Sequence, residues 1–203
     1  MFSSATLVCL FAVALTQGQL DEDPECRPPH PPGKDDKCCT IPELIVGENM
    51  QAMMKQCFEE SGMERRPPGP PGSGTPPTPE EIEAHRSAHE CVDECFFKAA
   101  KFMNSDGEFD LEAMKTAAAS VFTGDWAPLG SETIDKCFAS AKSQVSASAK
   151  CTSGAHRAKK CILRNFIINC PPSAWNDSTD CAALKARLTK CSNAMPPFPH
   201  HKH

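Results

Sequence analysis

Tyrosine is absent from this chain of 203 residues, and tryptophan occurs only twice, at Trp126 and Trp175. Without a phenol hydroxyl, a bound molecule cannot be oriented by tyrosine hydrogen bonds. If the chain binds a small molecule, we expect recognition to depend on shape and apolar area, with broad selectivity.

Catalytic and cofactor motifs are also missing. The chain has no Gly-x-Ser-x-Gly elbow and no phosphate loop. The run HRSAHE at 85–90 is not the HExxH pattern of zinc peptidases, and NSDGEFD at 104–110 lacks the ligand pattern of a calcium loop. We therefore expect no enzyme activity, no cofactor and no metal site. The three histidines of the tail MPPFPHHKH have no pre-organised geometry for a metal ion.

Clustered positive charge is scarce. The net charge is -5, and the densest basic run is HRAKK at 156–160, which is typical of a solvated helix face. Nucleic-acid binding needs clustered Lys and Arg to contact phosphates. Nucleic acid is therefore excluded as an expected partner.

Long apolar runs are limited to the N-terminus. The stretch SSATLVCLFAVAL at 3–15 is uncharged, too short to span a membrane comfortably, and followed by the small and polar residues TQGQ. This pattern predicts a signal peptide over 1–18, so we expect a secreted, extracellular protein without membrane insertion. The mature chain, 19–203, is expected to be one domain with an N-terminal arm (19–41), a Pro/Gly-rich loop (65–79) and a C-terminal extension and tail (171–203).

Cysteine, by contrast, is abundant. Removal of Cys9 with the signal peptide leaves 12 of the 13 cysteines, an even number that predicts six disulfides in an oxidising compartment. Cys91 and Cys95 lie one helical turn apart, so each is better placed to bond a different neighbouring element than to bond the other. The adjacent Cys38 and Cys39 are likewise expected to reach different partners.

The hydrophobic periodicity is helical throughout, and no convincing alternating strand pattern occurs. Thr78, Pro79 and Glu81 form a predicted capping box at a helix start, and TGDWAPLGS at 123–131 is interpreted as a turn. The predicted helices are 42–60, 79–104, 111–122, 132–149, 153–169 and 179–192.

The cysteine spacing resembles the insect odorant-binding protein family. Three residues separate Cys91 from Cys95, and eight separate Cys161 from Cys170, as between the second and third and between the fifth and sixth cysteines of that family. The additional cysteines and the Cys170-Pro171 pair are similar to its Plus-C subfamily. The interval from Cys137 to Cys151 is shorter than is usual there.

The family pairs its core cysteines first with third, second with fifth and fourth with sixth. Carried over, this implies Cys57–Cys95, Cys91–Cys161 and Cys137–Cys170. The remaining bridges are then expected among Cys26, Cys38, Cys39, Cys151, Cys181 and Cys191.

The resemblance implies an all-α fold, a compact disulfide-stapled bundle of six to eight short helices around an apolar cavity. It also implies a carrier that reversibly binds small hydrophobic molecules, such as odorants or pheromones, and transports them through extracellular fluid. A membrane receptor and a second copy of the chain remain open as partners, and the alternative function is a disulfide-rich interaction protein, inhibitor or toxin-like, without a cavity. The side chains available to line a cavity are Phe97, Phe102, Leu111, Met114, Val121, Phe122, Trp126, Ile134, Phe138, Leu163, Phe166 and Ile167.

Overall fold

The structure is a computed structural model, and it describes residues 26, 38–42, 50–63, 78–104, 106–147, 149–192 and 194. The expected signal peptide, most of the N-terminal arm and of the Pro/Gly-rich loop, and the tail from 195 onward lie outside these residues. Six α-helices are present: α1 Met50–Glu60, α2 Pro79–Ala99, α3 Leu111–Val121, α4 Ala127–Ala139, α5 Ala155–Ile168 and α6 Thr179–Lys190.

Helix α5 is central, because it packs against α2, α4 and α6, while α1 packs on α2 and α3 packs on α4. Within the described residues there is no strand, only two isolated bridges, Cys39 with Trp175 and Met103 with Phe109. The predicted all-α, disulfide-stapled bundle is confirmed. None of the described helices is both long and apolar enough to cross a membrane.

The predicted start of α2 is confirmed. The Thr78 hydroxyl accepts a hydrogen bond from the Glu81 N–H at 3.2 Å, and the Glu81 carboxylate accepts one from the Thr78 N–H at 2.9 Å. The predicted end at 104 is wrong, because the helix stops at Ala99. Lys101 adopts a left-handed conformation with φ of 61°, which a continuing α-helix does not allow.

The interpretation of TGDWAPLGS as a turn is wrong. A 3-10 turn at Gly124–Trp126 leads directly into α4, which begins at Ala127. Pro128 lies in the first turn of α4, where its missing N–H costs nothing and its fixed φ suits the helix. Helix α4 therefore covers 127–139 instead of the predicted 132–149.

Two glycines permit close packing around α4 and α5. A Cβ on Gly130 would lie 2.8 Å from Phe122 Cδ2. Gly154, directly before α5, has a φ of +85°, and a Cβ there would lie 2.5 Å from the backbone carbon of Ala141. At both positions the backbone lies so close to a neighbour that an added Cβ would have to displace it.

Three disulfides interlock the helical core. Cys57–Cys95 joins α1 to α2, as expected, with Cα atoms 5.6 Å apart. The implied Cys91–Cys161 and Cys137–Cys170 pairs are wrong, because the structure forms Cys91–Cys151 and Cys137–Cys161. The first–third, second–fifth, fourth–sixth rule still holds, with Cys151 and Cys161 as the fifth and sixth cysteines.

The physical reason for this correction is the geometry of α5. Cys151 precedes the helix beside α2, and Cys161 lies within the helix opposite α4. Cys170 lies beyond the end of α5 and bonds Cys39 of the N-terminal arm, with Cα atoms 6.1 Å apart.

The other bridges fasten the chain's two flanks together. Cys26 bonds Cys191 and Cys38 bonds Cys181, so with Cys39–Cys170 they form a terminal clamp of three disulfides. The adjacent Cys38 and Cys39 reach different partners, as predicted. The expectation of three bridges among the six extra cysteines is wrong, since Cys39 bonds Cys170 and Cys151 bonds Cys91.

Candidate functional site

An aromatic cluster fills the space between α2, α3, α4 and α5. One ring group joins Phe97 of α2, Phe109 before α3 and Phe138 of α4, with ring centroids 4.5 to 5.9 Å apart. The Phe97–Phe109 and Phe97–Phe138 pairs meet nearly edge to face, the geometry that aromatic quadrupoles favour.

A second ring group lies on the same core. Phe122, Trp126 and Phe166 have centroids 4.9 to 5.9 Å apart. Phe122 ends α3, Trp126 immediately precedes α4, and Phe166 belongs to α5. Apart from the indole N–H of Trp126, these six rings carry no hydrogen-bonding group, so the aromatic cluster offers dispersion and apolar area.

A buried polar network joins the other side of α5 to α2. The Asp93 side chain is only 1% exposed, its Oδ2 lies 2.8 Å from His156 Nδ1, and its Oδ1 pairs with Lys159. A Glu90 carboxylate oxygen accepts the backbone N–H of His156 at 3.2 Å. Since His156 lies in the first turn of α5, Glu90 satisfies one of the free N–H groups of that helix start.

The network shifts several pKa values. Burial alone would raise the pKa of Asp93, but hydrogen bonds and charge from His156 and Lys159 hold it below its ordinary value. Burial raises the pKa of Glu90. Burial, followed by the charges of His85 and His156, lowers the pKa of His89 to about 4.

Three histidine rings are in contact, with His85 meeting His89 edge to face and His89 stacking on His156. His85 and His89 have ring centroids 4.5 Å apart, and His89 stacks on His156 at 5.3 Å. Across the described part of the chain, no group of three or more His, Cys, Asp or Glu residues is arranged to hold a metal ion. The interpretation of HRAKK at 156–160 as a solvated helix face is wrong for His156, which is buried.

A separate cleft of about 440 Å³ opens between α1, α2 and the segment before α5. Its walls include both residues of the Cys57–Cys95 disulfide and both residues of the Cys91–Cys151 disulfide. None of the cavity-lining residues predicted from the sequence belongs to it.

Comparison with known proteins identifies the chain's relatives. The PBP/GOBP family model matches residues 45–165, well over half of the chain. The chain belongs to the PBP/GOBP family. It is also 25% identical over 203 aligned residues to general odorant-binding protein 68 of Anopheles gambiae, covering 93% of this chain and 85% of that protein. The insect odorant-binding resemblance seen in the cysteine spacing is confirmed at family level, and the Plus-C assignment stays a prediction.

The PBP/GOBP match divides the disulfides into two sets. All six cysteines of the interlocked core, from Cys57 to Cys161, lie inside 45–165. All six cysteines of the terminal clamp lie outside it. The family core therefore ends within α5, and the clamp is an addition to its two flanks.

The structure brings seven of the twelve predicted lining residues together in the hydrophobic cluster that contains the aromatic rings. Phe102 and Leu111 are partly exposed and pack against the cluster that contains the aromatic rings. Ile167 belongs to a second hydrophobic cluster beside α6. Val121 and Leu163 are only partly buried and belong to neither cluster. The predicted lining residues that are buried in the cluster with the aromatic rings are Phe97, Met114, Phe122, Trp126, Ile134, Phe138 and Phe166.

Sequence reasoning missed two parts of this core. Phe109 lies in the run NSDGEFD, which is weighed from the sequence only as a calcium loop, although Met103 and Phe109 pair across it. Glu90 and Asp93 are spaced to lie on one face of α2, but nothing in the sequence signals that this face meets His156. The signal for Phe109 was its apolar character in an otherwise polar turn.

Proposed function

We propose that the chain is a secreted carrier, which reversibly binds small hydrophobic molecules and transports them through extracellular fluid. The observation that carries the proposal is the aromatic cluster where α2, α3, α4 and α5 meet, five of whose six rings lie within the family-matched region 45–165. The Anopheles gambiae relative is named an odorant-binding protein, which supports the same ligand class. No catalytic residue is assigned.

The ligand would occupy the aromatic cluster by displacing or spreading rings that now touch. The two ring groups, centred on Phe97 and Phe122, supply walls from four elements. Aromatic side chains provide large apolar area, and burial of apolar ligand surface contributes about 25 cal/mol per Å². Apolar odorants or pheromones match this chemistry.

The competing function, a disulfide-rich interaction protein without a cavity, has one observation in its favour. Ring centroids 4.5 to 5.9 Å apart are what a solid aromatic core would also show. The two functions differ in what happens when a ring is removed.

The test uses two neighbouring phenylalanines of α2. Phe96 and Phe97 are both 8% exposed, but Phe97 belongs to the aromatic cluster and Phe96 packs toward α1. We expect Phe97→Ala to weaken binding of the neutral probe N-phenyl-1-naphthylamine by about 1–2 kcal/mol through lost contact area. Phe96→Ala should leave the affinity nearly unchanged.

Trp126 provides an independent readout, because it is buried and contacts Phe122 and Phe166, whereas Trp175 is only partly buried, packs at the edge of both hydrophobic clusters and lies beneath Lys185 of α6. In a Trp175→Phe background, probe binding should change the remaining emission. A solid core gives the opposite pattern: wild type takes up no probe, and Phe97→Ala creates a new apolar cavity that does.

A further inference from the structure

We propose that the cleft between α1, α2 and residues 150–151 binds a small anionic amphipathic molecule, with Lys150 contacting its head group. The cleft and the aromatic cluster share no lining residue. The cleft site therefore stands whether or not the cluster itself holds a ligand.

The cleft is held open by covalent bonds. Cys57–Cys95 fixes α1 to α2, and Cys91–Cys151 fixes α2 to the segment before α5. Because Cys91 and Cys95 are one helical turn apart on α2, both bridges meet on the same side of that helix. A volume of about 440 Å³ lies within the range of preformed small-molecule pockets.

The residues that line the cleft fall into two chemical classes. The two disulfides, Met53 and Ala99 supply soft apolar surface, and sulfur is polarisable enough to contact varied ligand shapes. The remaining lining residues are polar or charged: Gln56, Glu60, Ser61, Glu94, Lys98 and Lys150. This division suits a molecule with an apolar body and one polar end.

Both carboxylates that line the cleft, Glu60 and Glu94, already accept hydrogen bonds. Glu94 accepts from Lys98 Nζ at 2.6 Å and from the Ser153 N–H at 3.3 Å. Glu60 accepts from the Gln56 amide at 2.7 Å. An incoming cation would have to compete with these bonds.

Lys150 is the remaining donor. Its side chain is exposed, and no hydrogen bond or ion pair joins it to another described residue. An ammonium group offers three N–H donors and no acceptor, so the group it suits is an oxyanion such as a carboxylate or sulfonate.

A matched pair of probes tests the head-group assignment. 1-Anilinonaphthalene-8-sulfonate and N-phenyl-1-naphthylamine share an aromatic skeleton, and only the first carries a sulfonate. At low ionic strength, Lys150→Gln should lower the affinity for the sulfonate probe by about threefold to fivefold, as expected for loss of a partly exposed ion pair. The neutral probe should change by less than twofold, and Lys136→Gln on α4 should affect neither.

A second variant tests the location. Ala99→Phe places a ring in the cleft, and we expect at least a tenfold loss of sulfonate-probe affinity with an unchanged helical circular dichroism spectrum. Glu60→Gln should leave that affinity equal or slightly higher. A loss on Glu60→Gln that exceeds the loss on Lys150→Gln would instead assign the cleft to a cation and overturn the proposal.

The remaining outcomes separate the cleft from the proposed function. If the sulfonate probe does not bind, or binds Lys150→Gln and Ala99→Phe as it binds wild type, the cleft site is wrong and the carrier proposal is untouched. If Lys150→Gln has its effect while Phe97→Ala has none, the cleft site stands and the aromatic cluster is not the ligand site.

Discussion

The two sides of α5 are held by different forces. On one side Phe166 meets Phe122 and Trp126 through ring contacts without a hydrogen bond. On the other side His156 and Lys159 meet a buried carboxylate of α2. Helix α5 is therefore oriented by hydrogen bonds and an ion pair near its start, and it is packed by apolar ring contacts further along its length.

This difference also has an energetic side. Apolar contacts tolerate small rearrangements, because dispersion and area burial change gradually with position. A buried ion pair does not, since removing one partner leaves an uncompensated charge in a poorly solvated place. We therefore expect the polar side to be the more sensitive to single substitutions and the aromatic side to be the more adaptable.

The largest expected effect is on the polar side. Asp93→Ala removes the acceptor shared by His156 and Lys159, and we expect a loss of about 3–5 kcal/mol in the free energy of unfolding. Urea denaturation at neutral pH with the disulfides intact measures this loss.

The control is another acid of α2. Glu83 is exposed and, among the residues that the structure describes, pairs only with Arg86, so Glu83→Ala should change the free energy of unfolding by about 0.5 kcal/mol or less. Equal effects of the two substitutions would show that the buried network contributes no more than a surface pair.

An intermediate effect is expected on the aromatic side. Gly130→Ala places a Cβ 2.8 Å from Phe122 Cδ2, and overpacking of this kind costs about 1–3 kcal/mol. Part of that cost is offset by the better helix propensity of Ala, about 1 kcal/mol. The thermal midpoint and the Trp126 emission should both shift, because Phe122 lies 5.9 Å from the Trp126 ring.

A double variant that relieves the contact between residue 130 and Phe122 provides the matched comparison. In Gly130→Ala with Phe122→Leu, the smaller side chain at 122 makes room for the new methyl group. The double variant should therefore lose less stability than the sum of the two single variants. Simple additivity would mean that Phe122 already moves freely and that the aromatic side is not tightly packed at this point.

The smallest effect concerns pH. His89 has its pKa lowered from 6.5 to about 4, so the unfolded chain gains a proton on His89 between these values while the folded chain does not. Stability should consequently fall as the pH drops from 7 to 5, by about 1 kcal/mol after allowing for the partial exposure of the ring. Comparing unfolding at the two pH values in wild type and His89→Gln isolates this contribution.

Other ionisable groups near His89 also affect how stability depends on pH. The charges facing His89 are His85, His156, Asp93 and Lys159. The lowered pKa of Asp93 contributes stability that is lost only at still lower pH, and the raised pKa of Glu90 acts in the opposite direction, because its protonation favours the folded state. If His89→Gln loses as much stability between pH 7 and pH 5 as wild type does, the loss comes from other groups and not from His89.

Much of the architecture was predictable from the sequence, because local signals determined it. The capping box at Thr78, the helical periodicity and the divergent partners of Cys38 and Cys39 all follow from residues close in the chain. The Cys57–Cys95 bridge followed from the family resemblance.

The rest required knowledge of which surfaces meet. Cysteine spacing alone did not reveal that Cys170 lies past the end of α5, where Cys39 reaches it. Nor did it show that Glu90 and Asp93 face the start of α5. A pattern of charges along one helix is the same whether that face meets water or a complementary helix, so burial of the polar network could not be inferred.

The order of the terminal clamp has a consequence for synthesis of the chain. Cys26, Cys38 and Cys39 bond Cys191, Cys181 and Cys170, so the three loops are nested and span 131 to 165 residues. The core bridges close loops of only 24 to 60 residues. Because a chain is made from its N-terminus, the first cysteines to emerge must wait for nearly the whole sequence. A product truncated before Cys170 would keep all six cysteines of the family core, but it would leave Cys26, Cys38 and Cys39 without their partners.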